Sequence, residues 1–582
     1  MTALDISFVT IISFCITCSF AKGDELIVET QNGPVLGRKI LDSVYGWNGI
    51  PYAQPPLGNL RFEPPRTPNN WTGIWNATYD RSQCILYKTE DLISTFMKPL
   101  GNEDCLYLNV YTPKPPQDIR TPLPVMVWIH GGTFLRGNSS FTLYGTVGLV
   151  REDVIVVSFN YRLGIFGFIS TGDDAAPGNN GLRDQMFALK WVQKNIKAFG
   201  GDPKQVTIFG ESAGSASVSY LVLSPLTRGL FKQAIMESGT ALCRWALSKS
   251  ASDATFAVGT TLGIDTSSSV DLIDALKEIS TERIHRASIA IMGAILAMNP
   301  LNGLVYAPVI EHVHDDAVVT ASSYKKLLRG DFNRVTQIIG YNSAEFHLFK
   351  GLVQLLGWYL RRYDLKPSRL VPTNIGTNES RETIGKEIRS YYTTKEGTLK
   401  YSDRDMLNYL SDDQFVRPIQ ETARLTSQYA TTYFYKFSYV RTPGEVGASH
   451  ADELNYIFDS DYNTSSDRFV KRCVTKLWTN FAKYGSPTPN NGERSCHNII
   501  WKPATPNDKN ELYYINIDRM VSSGTNPDPR VVWHPSQPNA APVVATFCGT
   551  PSPLPESSLI ACSALKALWL SDMISIASES CV

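Results

Sequence analysis

Net charge is what this 582-residue chain conspicuously lacks: 55 Lys and Arg are matched by 55 Asp and Glu. A balanced surface has little pull on a polyanion or an acidic membrane, which argues against nucleic-acid binding and polybasic membrane docking and favours neutral or apolar substrates. There is no internal repeat and no long low-complexity tract. No interior run is long and apolar enough to span a bilayer. Nothing in the sequence calls for a metal ion or a cofactor. Histidine is scarce, with eight in the whole chain, so a search for a catalytic base has few places to look. With 43% hydrophobic and 19% charged residues, the composition is that of a globular protein.

The one apolar run at a chain end lies in residues 6–16 and is followed by Ser19-Phe20-Ala21. It reads as a secretory leader, residues 1–21, cleaved after about Ala21. It lacks a basic first segment and carries Asp5; a buried strand or an anchor helix are the alternatives. Removing it takes away Cys15 and Cys18 and leaves eight cysteines, an even number. Asn70, Asn76, Asn138, Asn378 and Asn463 each begin an Asn-x-Ser/Thr acceptor. Leader, acceptors and cysteines together fit a secreted glycoprotein in an oxidising compartment. Residues 546–582 form a C-terminal tail. Its apolar part, 558–577, is interrupted by Lys566 and Asp572, which suits an amphipathic helix better than an anchor. The tail, or Cys581 near its end, offers a link between two copies of the chain.

Between residues 120 and 240, apolar β-branched runs alternate with helical patterns. Runs at 125–129 and 154–159 read as strands. Leu182, Met186, Leu189, Val192 and Ile196 then recur at spacings of three and four, the stripe of an amphipathic helix. Gly200-Gly201-Asp202-Pro203 ends that helix, and a strand at 206–209 follows. Further strands are expected at 233–236, 335–339 and 433–437. Continuous apolar strands joined by helices predict an α/β fold whose parallel sheet is covered on both faces. Functional groups in such a sheet collect beyond the carboxyl ends of its strands.

At one such end stands Gly210-Glu211-Ser212-Ala213-Gly214, followed by a helical stretch at 215–221. Small residues around the serine permit the strained turn that lifts its hydroxyl clear of the sheet. The helix points its N-terminal amides at any oxyanion formed there. A serine hydroxyl needs a base, and the base needs an orienting acid. His450, in the small-residue loop after the 433–437 run, is the candidate base; His130, before a glycine pair, is read as bracing its loop. Glu345, beyond the 335–339 run, is the candidate acid. The chain order Ser212, Glu345, His450 is that of α/β-hydrolases. Gly131, Gly132 and Ala213 supply unobstructed amides for an oxyanion hole.

These residues, with several further stretches, resemble the type-B carboxylesterase and cholinesterase family. The matches include Gly49-Ile50-Pro51-Tyr52-Ala53, Glu103-Asp104-Cys105-Leu106-Tyr107-Leu108-Asn109 and Asn160-Tyr161-Arg162-Leu163-Gly164. Others are Gly178-Asn179-Asn180-Gly181-Leu182-Arg183-Asp184-Gln185 and Phe199-Gly200-Gly201-Asp202-Pro203. The resemblance implies an α/β-hydrolase fold over residues 22–545: a large mixed, mostly parallel central sheet flanked by helices, with helical insertions forming a gorge. It implies Ser212 as nucleophile, Glu345 as acid, His450 as base, and a Cys84–Cys105 disulfide. Trp245 matches the position that walls the acyl pocket, and Glu211 is expected to face that pocket as well. The partner implied is a small-molecule ester, and the activity a secreted serine carboxylesterase acting on neutral short- to medium-chain esters.

Departures from the family pattern leave alternatives open. Phe346 stands where a glycine commonly follows the triad acid. The loop at 85–104 has no tryptophan to hold a quaternary ammonium by cation–π attraction, and Phe96 or Tyr87 are weak substitutes. A choline esterase is therefore the second reading, and a non-catalytic, neuroligin-like adhesion protein the third. Cys243 has no nearby downstream partner; Cys473 with Cys496 and Cys548 with Cys562 are further pairings to test. Residues 287–301 and the aromatic-rich run 346–363 are expected to line or roof the gorge, or else to pack as ordinary helices. A glycan on Asn138, six residues beyond Gly132, would sit near its entrance.

Overall fold

The computed structural model describes residues 26–527, apart from 89–97, 299–300, 302, 356–359, 361, 364, 372–379, 394–403, 443, 461–463, 491–495, 497, 506–510 and 526. The leader, the 546–582 tail, Phe96, Asn378, Asn463, Cys548, Cys562 and Cys581 therefore lie outside the described residues.

Among the described residues eleven strands form one sheet, here numbered β1 (Arg38–Leu41), β2 (Val44–Pro51), β3 (Tyr107–Thr112), β4 (Leu123–Ile129), β5 (Ile155–Phe159), β6 (Gly201–Glu211), β7 (Gln233–Glu237), β8 (Thr336–Asn342), β9 (Thr432–Phe437), β10 (Tyr513–Ile517) and β11 (Ser522–Thr525). Their order is β11-β10-β9-β8-β7-β6-β4-β5-β3-β2-β1. The run from β5 to β10 is parallel throughout, and both edges are antiparallel. A separate three-stranded sheet, Ile27–Thr30, Gly33–Leu36 and Trp75–Asn76, lies near the start.

Period-two alternation explains why the central strands read as unbroken apolar runs. Along β4, Val125, Val127 and Ile129 join one core, while Met126 and Trp128 join another. On β6, Val206 and Ile208 face the first core and Phe209 the second; on β7, Ala234 and Met236 face the first and Ile235 the second. Helices Asn180–Asn195 and Ala213–Leu223 cover the first face, contributing Leu182, Leu189, Val192, Ala216 and Leu221. Helix Ser465–Tyr484 covers the second with Val470, Leu477, Trp478 and Phe481. With apolar partners on both sides, no face of these strands needs polar residues.

The expected strands are all present, with different limits. The 206–209 run extends to eleven residues, and the 335–339 run continues to Asn342. Those extensions bring Glu211 and Asn342 to the edge of the site. Helix Thr281–Met298 buries Ile284, Ala287, Ile289 and Met292 in the first core. The insertion between β8 and β9 has an apolar cluster of its own, including Val353, Leu370, Met406 and Leu410, with Phe346 packed against it. Cys84 is bonded to Cys105 and Cys473 to Cys496, while Cys243 is buried and has no disulfide partner among the described residues. No helix among the described residues is long and apolar enough to cross a membrane.

Candidate active site

Ser212 lies between β6 and helix Ala213–Leu223 with φ 56° and ψ −122°. A non-glycine residue rarely adopts that conformation, which costs on the order of 1–3 kcal/mol. Its surroundings hold it there. The Ser212 amide donates to the Glu237 carbonyl at 2.9 Å, and its own carbonyl accepts from Ala216 N at 2.9 Å. The flanking glycines are needed for space, since neither has a positive φ: a Cβ on Gly210 would sit 2.6 Å from the Ile129 carbonyl oxygen, and one on Gly214 would collide with the same atom. The glycine spacing of this motif is thus set by the end of β4 pressing against the turn.

That same approach places the glycine pair. A Cβ on Gly131 would lie 3.1 Å from Cβ of Ser212, so this backbone runs directly beside the serine. Gly132 has φ +108°, a conformation that favours glycine. None of the turn and loop hydrogen bonds among the described residues uses the amides of Gly131, Gly132 or Ala213. His130 braces this loop. Its ring stacks on Tyr161 with centroids 4.4 Å apart, its Nδ1 lies 2.9 Å from the Gly131 carbonyl oxygen, and the Tyr161 hydroxyl donates to the His130 carbonyl at 2.8 Å. Burial pulls this imidazole down to about 4, so it is neutral at physiological pH.

Glu345 and His450 meet although they are 105 residues apart: His450 Nδ1 is 2.6 Å from Glu345 Oε2. The other carboxylate oxygen accepts the Asn342 amide at 2.7 Å. The two supporting loops are joined, Ala344 N donating to the Ala448 carbonyl at 2.8 Å and Ala448 N to Ser343 Oγ at 2.9 Å. When the ring is neutral, such a pair fixes its proton on Nδ1 and leaves Nε2 as an acceptor.

Nε2 faces a carboxylate. It lies 3.1 Å from Glu211 Oε1, an ion-pair distance, yet that oxygen has no partner of hydrogen-bond geometry. No hydrogen bond among the described residues involves Ser212 Oγ; what ties the imidazole to the serine turn is its Nε2 contact with Glu211, the residue directly before Ser212. Unliganded sites commonly show loose catalytic contacts of this kind. Burial raises the Glu211 carboxyl to about 7, with Glu345 adding to the rise and His450 opposing it. Burial would lower His450, but Glu211 and then Glu345 outweigh it and lift the ring to about 9. A further buried carboxylate, Glu453, accepts from Ser238 Oγ at 3.2 Å and is bonded by the Asn342 amide. Burial, followed by Glu211 and Glu345, holds it well above the ordinary carboxyl range.

Aromatic rings enclose the imidazole: Phe415 at 4.7 Å and Phe349 at 5.8 Å between centroids. Trp245 is buried near the serine turn, since a Cβ on Gly239 would lie 3.1 Å from its indole and collide with the Ser212 carbonyl. Phe346 and Phe349 thus come to the site from the 346–363 run. Residues 287–292 belong instead to the core. Asp413, Gln414, Phe415 and Glu453 were not singled out from sequence, because nothing local marks a residue that arrives by tertiary packing. Asn70 and Asn76 are exposed, while Asn138 is half-buried with its amide donating to Gln83 at 2.8 Å.

The model of the Carboxylesterase family matches residues 24–530. Cocaine esterase from Homo sapiens is 36% identical over 497 residues, covering 80% of this chain and 84% of the relative. Neuroligin-3 from Mus musculus is 33% identical over 550 residues, covering 82% of this chain and 64% of its own length. Among solved structures, juvenile hormone esterase from Manduca sexta, with OTFP covalently attached, superposes with a TM-score of 0.74 at 28% identity over 87% of this chain and 98% of that one. The chain belongs to the carboxylesterase family and is a carboxylic ester hydrolase of the α/β-hydrolase fold.

Proposed function

We propose that the hydrolase works through an acyl-enzyme on Ser212, with His450 as base, Glu345 as orienting acid, and the amides of Gly131, Gly132 and Ala213 as oxyanion hole. His450 Nε2 takes the Ser212 proton as Oγ attacks the ester carbonyl. The negative charge develops beside three amides that make no turn or loop hydrogen bond among the described residues, and each such donor is worth about 100- to 1,000-fold in turnover. The imidazolium then gives its proton to the leaving alkoxide. Water repeats the sequence on the acyl-enzyme, returning the proton to Ser212. Glu345 keeps its charge throughout.

The observation that carries this reading is the 2.6 Å His450–Glu345 pair beside a serine in a strained turn. For the first step Oγ must turn toward Nε2 and loosen the contact with Glu211. A covalent route is also supported by the covalently attached OTFP of the Manduca sexta relative.

Buried aromatic walls, Trp245 and Phe415 among them, favour neutral esters of short to medium acyl length. The choline reading loses one support: Tyr87 is buried in the core, where its hydroxyl meets Ser288 Oγ at 2.8 Å and accepts from Ile165 N at 3.1 Å, so it presents no ring face to an ammonium. Secretion is proposed from the leader at 1–21 and the exposed acceptors Asn70 and Asn76, with residues 22–545 as the catalytic domain. Treatment of the full chain with a fluorophosphonate, followed by peptide mass mapping, tests the mechanism. A single adduct on Ser212 is expected, and an adduct elsewhere with Ser212 unmodified contradicts it.

A further inference from the structure

Helix Arg404–Ser411 runs into helix Arg417–Thr426 through a π turn, Asp412–Val416, whose five residues are all buried. π turns cost hydrogen-bond geometry and recur where a side chain has to be re-aimed at a site. Here a charge lock holds the turn in place. Asp413 Oδ2 accepts from Arg244 Nη1 at 2.8 Å and from Gln414 Nε2 at 2.6 Å, and Asp413 Oδ1 accepts from Arg417 Nη2 at 2.8 Å. Arg244 belongs to a distant stretch that follows β7 and carries Trp245. One buried carboxylate therefore ties the acyl-pocket wall to the π turn.

The next two residues of the turn face the site. The Gln414 carbonyl accepts the Trp245 indole N–H at 3.0 Å. The Phe415 ring lies 5.6 Å from Trp245, 4.7 Å from His450 and 6.3 Å from Phe346, which directly follows Glu345. Phe415 is thus wedged between the tryptophan wall and the imidazole. Its position follows from that of Asp413, two residues earlier.

We infer that Phe415 determines which acyl lengths the enzyme accepts, and that Asp413 is a positioning residue that sets Phe415 through its clamp on Arg244 and Arg417. The inference rests on the proposed roles of Ser212 and His450. Shortening the ring, or loosening the clamp, opens the space between Trp245 and His450, which favours longer acyl groups. A change of one methylene in such a pocket alters kcat/KM by about tenfold or more.

The test compares wild type with Phe415→Leu, Asp413→Asn, the conservative Asp413→Glu and the Asp413→Asn/Phe415→Leu double variant, all as full chain. Rates on 4-nitrophenyl esters from acetate to octanoate are normalised to active sites counted with a fluorophosphonate. We expect the octanoate-to-acetate ratio of kcat/KM to rise about tenfold in Phe415→Leu. It should rise in the same direction in both Asp413 variants, and the double variant should show no more than the larger single effect, because both changes act on one wall. A ratio within twofold of wild type in Phe415→Leu would overturn the specificity role. A shift in Phe415→Leu with none in folded Asp413→Glu or Asp413→Asn, or fully multiplicative effects in the double variant, would overturn the positioning role. If Asp413→Asn leaves too few countable sites, Asp413→Glu, which keeps the charge, decides. Failure of the underlying mechanism would look different: wild type itself would not be labelled on Ser212.

Discussion

Nε2 of His450 lies 3.1 Å from Oε1 of Glu211, the residue that immediately precedes the serine in the chain. The ring is thus held between two carboxylates, with Glu345 at 2.6 Å on Nδ1 and Glu211 on the side where the serine must approach. Both carboxylates stabilise the imidazolium, and the ring is lifted from its ordinary 6.5 to about 9. The base role proposed for His450 requires the neutral ring, so on that proposal this arrangement sets the acid limb of the activity profile.

Glu211→Gln removes one of the two anions that raise His450. The ring then releases its proton more readily, and the acid limb of kcat/KM should move to lower pH by about 1 unit or more. The plateau rate should fall, because the imidazolium formed in the transition state loses the same support. Steady-state pH profiles of wild type and variant check this. A limb unmoved, or moved to higher pH, contradicts the assigned contact.

Gly214→Ala should abolish activity and lower expression of folded protein, because the added Cβ runs into the Ile129 carbonyl at the root of the serine turn. Gly229→Ala is the control: its φ is +81°, so strain of about 1–2 kcal/mol is imposed, but no atom lies within 4 Å of the new Cβ. It should retain turnover per active site. Equal loss in both would mean that contact with β4 does not account for the motif.

This contrast also explains what could be read from sequence. The Ser212 turn was legible because its demands are local: a strand, small residues at fixed offsets and a helix. The α/β architecture was legible because β4, β6 and β7 feed two cores by alternation and so read as unbroken apolar runs. The π turn at Asp412–Val416 was not. Asp413 and Arg244 are 169 residues apart, and no spacing rule joins them. The Glu211–His450 contact escaped for a related reason, since the strand before the serine runs longer than its apolar core and carries Glu211 with it. Tyr87, weighed as a cation-binding ring, is an ordinary core tyrosine.

Acetylthiocholine and an uncharged thioester of equal size separate the two esterase readings. With Tyr87 buried, the uncharged substrate should have the higher kcat/KM. Preference for the choline ester would assign the ammonium to groups beyond those described above.

Cys84→Ser should destabilise the native chain by about 3 kcal/mol, because the disulfide with Cys105 closes a loop of 21 residues in sequence separation. Thermal inactivation under oxidising conditions measures it. Reduction of wild type also opens the Cys473–Cys496 bridge and should therefore cost at least as much, whereas an unchanged inactivation midpoint in Cys84→Ser would show that this bridge contributes nothing to stability.

The most direct measurement is turnover of an activated phenyl ester by Ser212→Ala, with folding verified by circular dichroism. Loss of the serine hydroxyl should lower kcat by about 10⁴-fold or more while leaving the protein folded. A folded variant hydrolysing the ester at the wild-type rate would contradict the assignment of Ser212 as nucleophile, and with it the roles given to His450 and Glu345.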